Sequence, residues 1–73
     1  MKAFILLCFS VGQTPEGVNY CSHIPGVIEV IATWGPFGAV AKVDSPSTMQ
    51  VIVEMRKFSG LLSTFCLPIV EAD

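Results

Sequence analysis

Ala3-Phe4-Ile5-Leu6-Leu7-Cys8-Phe9 is an unbroken apolar run near the start of a chain of 73 residues. A run of this length bounded by turn signals reads as a central strand covered on both faces, ended by a turn over Ser10 to Gln13. The same segment, with Lys2 before it and the small residues Ser10 and Gly12 after it, has the outline of a short signal-peptide apolar region (residues 1–12). Leu7 ahead of Cys8 is too large for a lipoprotein signal, and removing the segment would delete a strand that the rest of the pattern requires. The native-strand reading is therefore preferred.

Outward from this strand the chain alternates in period. Thr14-Pro15-Glu16 has the form of a helix start, with a hydroxyl N-cap, a proline in the first turn and an acid at the positive end of the dipole. The helix is weak in propensity because of Gly17 and Asn19, and is expected to survive by burying Val18, Cys21 and Ile24 on one face. Pro25-Gly26 stops it. Val27 to Trp34 is β-branched and aromatic, a second strand, and Gly35-Pro36 punctuates it. A third strand is predicted from about Phe37 to Val43, with Phe37, Ala39, Ala41 and Val43 on one face. Ser45-Pro46-Ser47-Thr48 begins a second helix. Ser47 and Gln50 there have capping-box spacing, and Val51, Met55 and Phe58 form its apolar stripe. Leu61 to Val70 is the last strand, and Pro68 within it marks a sheet edge.

The order β-α-β-β-α-β is reinforced by an internal echo. Ile24-Pro25-Gly26-Val27 and Phe58-Ser59-Gly60-Leu61 occupy the same helix-to-strand junction in each half. The fold class expected is α+β and ferredoxin-like: a four-stranded antiparallel sheet with two helices on one face, as a single domain over residues 1–73.

Composition narrows the function. Apolar residues make up 52% of the chain and charged residues 14%, against about 25% charged in an ordinary soluble domain. A domain this small cannot enclose that much apolar surface, so part of it should lie against another copy. Net charge is −2 with four basic residues, Arg56 and Lys57 being adjacent, so the phosphate-neutralising footprint of a nucleic-acid binder is absent. Arg56–Lys57 reads instead as a helix end, where cations meet the negative pole. Cys8, Cys21 and Cys66 are odd in number and show no metal-ligand spacing, which fits a reducing, cytoplasmic setting with neither metal nor cofactor. No run reaches the length of a membrane-spanning helix.

Lys2-Ala3-Phe4-Ile5-Leu6, Ile24-Pro25-Gly26-Val27, Gly35-Pro36-Phe37 and Gly60-Leu61-Leu62-Ser63-Thr64, in that order and spacing, resemble the effector-binding (RAM) domain of Lrp/AsnC (feast/famine) transcription regulators. The resemblance covers essentially the whole chain. It implies homodimers formed by sheets packed face to face, rings of such dimers, and small effectors, commonly amino acids, held between dimers. It implies contacts from the loop between strands two and three and from threonines of the last strand: here Gly35, Pro36, Phe37 and Gly38, with Thr64 and Cys66. Trp34, beside that loop, suits an aromatic wall for a ligand and also an interface anchor, with the interface preferred. In that family a helix-turn-helix domain precedes this one. Here Met1 opens directly on the strand, so a stand-alone version that does not contact DNA is expected, with full-length regulators of the family as further partners. The family loop ends in an aspartate suited to an effector's ammonium group, and Gly38 stands there; where a second threonine is common, this chain has Cys66. A buried ammonium needs a charged partner, so the site has either changed its ligand or become structural.

The remaining polar residues have plain readings. His23 lies near a helix C-terminus, where a cap role outweighs catalysis. Glu29 and Glu54 fit a solvated face or an inter-subunit cleft equally. Gly35-Pro36-Phe37-Gly38 lacks a phosphate-loop pattern. Dimeric ferredoxin-like monooxygenases and isomerases are the enzyme alternative, but His23, Tyr20 and Asn19 are thin material for acid–base chemistry, and no catalytic residue is assigned. A third reading is an interaction subunit that joins full-length regulators.

Overall fold

The computed structural model describes residues 2–33 and 38–69. Its elements run β1 (Lys2–Phe9), α1 (Thr14–Ser22), β2 (Val27–Ala32), β3 (Ala39–Asp44), α2 (Thr48–Met55) and β4 (Leu61–Pro68). The sheet order is β2-β3-β1-β4 and every neighbouring pair is antiparallel. This is the expected βαββαβ arrangement, with β1 at the centre and β2 and β4 at the edges.

The pleat sorts the side chains. On the helix-covered face Ala3, Ile5, Leu7 and Phe9 of β1 meet Ala39, Ala41 and Val43 of β3. Cys21 and Ile24 descend from the α1 side and Val51 and Met55 from α2 to close this core. Phe58 follows α2 and joins the layers, its ring edge-on to Phe9 at 5.8 Å and tilted against Tyr20 at 5.5 Å.

Several boundaries differ from the sequence expectation. Helix α1 is capped by Gln13, not by a Thr14 hydroxyl. The Gln13 carbonyl accepts the first helical bond, from Gly17 N–H at 2.8 Å, which draws Thr14 inside. Helix α2 follows the expectation: Ser47 Oγ accepts from Gln50 N–H at 3.3 Å. β2 stops at Ala32, β3 starts at Ala39 and β4 stops at Pro68, while Trp34, Phe37 and Val70, expected at strand ends, lie outside the described residues. Pro68 does sit on an edge strand. Ile69 N–H donates to the Lys2 carbonyl at 3.0 Å, so the neighbouring Pro68 nitrogen points outward, where no ladder bond is lost. The other edge strand carries a register shift between Val27 and Glu29.

Two glycines explain local choices that propensity alone leaves odd. Gly26 has φ +95° and turns the chain from α1 into β2, a conformation L side chains rarely adopt. Gly17 sits inside α1 because a Cβ there would run into the Phe9 ring. Gly17→Ala should therefore destabilise the fold by about 1–3 kcal/mol despite alanine's better helix propensity, read as a lower denaturant midpoint. A midpoint equal to or above the parent's would show that the ring moves aside freely.

Cys21 is fully buried, and burial pushes its thiol from 9.0 up to about 11. The native state then keeps the proton that the unfolded chain has already released. Stability from this group is complete below pH 9.0 and is lost as pH rises toward 11. Substituting Cys21 by alanine should flatten that part of the pH–stability curve. An unchanged fall between those limits would assign it to other groups.

Candidate functional site

Among the described residues no helix covers the second face of the sheet, yet that face is not polar. Phe4 and Leu6 of β1, Val40 of β3, Ile31 of β2, and Phe65 and Leu67 of β4 point there, as their cross-strand registers show. Phe4 is 39% exposed, Ile31 53%, Phe65 58% and Leu67 42%. Glu29 stands opposite Lys42 near one margin of this face. The face is apolar across its middle, as the unbroken apolar run of β1 implies, and charged only at its margin. Large apolar patches of this kind mark contact surfaces.

The residues assigned to a ligand site divide between the described and undescribed parts. Trp34, Gly35, Pro36 and Phe37 lie outside the described residues. Gly38 is fixed at the start of β3: its N–H donates to the Leu7 carbonyl at 2.9 Å and its carbonyl accepts from Thr33 N–H at 3.1 Å. Leu7 pairs on its other side with Thr64. Gly38, one position ahead of Leu7's register partner Ala39, and Thr64 therefore flank Leu7 from either side at one end of the sheet, in a row about two strand spacings or roughly 10 Å across. Cys66 pairs with Ile5, farther along the strand, and packs against the core cluster. The row thus joins Gly38 to Thr64 and leaves Cys66 to one side.

Each end of this row borders a recess. Beside Gly38, Thr14, Pro15, Val18, Ala32 and Thr33 line a cavity of about 450 Å³. A Cβ on Gly38 would stand 3.3 Å from both Thr14 Oγ1 and the Phe9 ring, so the absence of a side chain keeps this corner open. Beside Thr64, Arg56, Leu61, Leu62 and Ser63 complete a recess of about 360 Å³. There Arg56, the C-cap of α2, donates from its guanidinium to Thr64 Oγ1 at 3.3 Å.

Arg56 is legible in sequence only as a helix-end cation, and it does occupy that position. Its reach to Thr64 comes from the tight return through Phe58, whose carbonyl accepts from Leu61 N–H at 3.1 Å. Lys57, its neighbour, turns instead to Glu54 at 2.9 Å, an interaction that raises the Lys57 pKa. His23 behaves as a cap: its Nδ1 lies 2.7 Å from the Asn19 carbonyl, a group that can only accept. Tyr20 donates to the Glu54 carbonyl at 3.4 Å. Among the described residues no group of His, Cys, Asp or Glu side chains is arranged to hold a metal, and no helix is long and apolar enough to cross a membrane.

No family model matches the chain, and no curated protein does. Solved structures do match along its whole length. TTHA0845 from Thermus thermophilus shares 22% identity at a TM-score of 0.87, covering 99% of this chain and 95% of that one. FFRP-DM1 shares 20% at 0.83, covering 94% and 97%. AsnC from E. coli shares 22% at 0.78, covering 99% of this chain and 55% of its own. In architecture the chain is an α+β domain with the fold of these proteins. The likeness is one of fold, and that fold is the one the resemblance of its short motifs implies.

Proposed function

We propose that this chain is a self-associating regulatory module that binds a small effector. The observation that carries the reading is the uncovered apolar sheet face, which the chain cannot bury by itself. A second copy laid on it, sheet to sheet, covers Phe4, Ile31, Phe65 and Leu67 with matching residues, since a two-fold interface presents the same patch from both partners. The fold shared with AsnC supports a regulatory domain. The Gly38–Thr64 row, with a recess at each end, supplies the effector position, closed in the assembly by a neighbouring dimer. In this reading the module acts in the cytoplasm, makes no DNA contact of its own, and works through assembly with itself or with full-length regulators of the same class.

The enzyme alternative needs acid–base groups converging on one cavity. The Tyr20 hydroxyl and the His23 ring are engaged with backbone carbonyls, and both residues, with Asn19, lie exposed at the end of α1. That arrangement favours the binding module.

Sedimentation or light scattering on the purified protein should report a dimer or a multiple of it. Changing Phe65 and Ile31 to glutamate should give a folded monomer, because both side chains are exposed within the single chain. A parent protein that is itself monomeric would remove the assembly half of the proposal. For the effector half, thermal unfolding against amino acids and 2-oxo acids is decisive. A ligand at a hundred times its Kd should stabilise the native state by about 2.7 kcal/mol. Silence across the panel would leave an assembly role with the loop glycines serving geometry.

A further inference from the structure

The recess at the β4 end of the row holds a cation whose role the fold leaves open. Arg56 uses one guanidinium nitrogen on Thr64 Oγ1, and among the described residues no carboxylate pairs with it. Glu54, the nearest acid in sequence on α2, is taken by Lys57 at 2.9 Å. The guanidinium fork therefore keeps most of its five donors for a planar acceptor. Its walls are Leu61 and Leu62, with the Ser63 and Thr64 segment beside them. Leu62 is 67% exposed, a costly position for a large apolar group with nothing against it. No acid lines this recess among the described residues, so no carboxylate there would balance an ammonium group.

We infer that Arg56, oriented by Thr64, anchors the carboxylate of a small ligand with a short apolar tail, and that the ligand needs no ammonium group. This rests on the reading of the row as an effector site and names the ligand class for it. The fork donates to both carboxylate oxygens in parallel, a geometry a single ammonium such as lysine's cannot supply. The tail lies along Leu61 and Leu62, and a recess of about 360 Å³ has room for it. An isolated surface ion pair is weak because water screens it. The apolar walls, and a neighbouring dimer closing over them, reduce that screening. A zwitterionic amino acid would bring a positive charge beside a guanidinium with no acid to balance it.

The test is calorimetric titration of the full chain with 3-methyl-2-oxobutanoate, 3-methylbutanoate, 3-methylbutanamide and L-valine, alongside the wider thermal panel. The two acids should bind; the amide should bind about tenfold or more weakly, the scale of a lost charge-assisted hydrogen bond, and valine should bind more weakly than its oxo acid because of its unbalanced ammonium. Arg56→Gln should weaken the acids by a similar factor with an unchanged unfolding midpoint, and Arg56→Lys should restore only part of the loss. Acids that bind R56Q as well as the parent, or valine that binds the parent more tightly than its oxo acid, would overturn the assignment while leaving the effector module standing. If no compound in either panel binds, the effector reading and this assignment fall together.

Discussion

The structure depends on β1 being apolar on both sides. Its odd-numbered residues, Ala3 to Phe9, are sealed against the helices and against β3. Its even-numbered residues face the other way, and among the described residues no layer lies above them. A strand flanked by partners on both sides has its backbone donors and acceptors satisfied, so it can be this hydrophobic without exposing polar groups to a dry interior. What remains unsatisfied is surface, not hydrogen bonding, and that is what a second copy can supply. Core, sheet order and association surface follow from the one run of sequence.

Much of this was readable beforehand because it depends on period and punctuation. The apolar run, the two turns at Pro25-Gly26 and Ser59-Gly60, and the Ser47 cap act locally, so spacing alone gives element order and helix placement. What propensity missed is set by bonds and contacts that residue chemistry does not announce. Thr14 has the chemistry of a cap, but the turn bonded from Gln13 N–H to Ser10 puts Gln13 in that place. Gly17 reads as a poor helix residue, yet it is required by a ring eight positions earlier. Propensity cannot register a contact of that kind.

The candidate site was legible to a smaller degree. Gly38 and Thr64 could be singled out only through motif resemblance, and their place on one row emerges from the register of three strands. Arg56 shows the limit most clearly. Its sequence neighbourhood gives a helix-end cation. The hydroxyl it meets lies beyond a reversal of chain whose path decides whether the side chain reaches the strand or water. Lys57, one residue on, makes the opposite choice.

The two outer strands bear on how assemblies of this chain end. On β4 the nitrogen of Pro68 is turned outward and offers nothing to a neighbour, and on β2 the ladder is broken by the shift between Val27 and Glu29. Each flank is thereby a poor template for another strand. A chain so rich in β-formers and so poor in charge is an obvious candidate for lateral growth into fibrils, yet its margins resist strand-by-strand addition. The apolar sheet face is a flat surface that a second copy covers by two-fold symmetry, so growth through it closes on itself where growth along a strand edge would not.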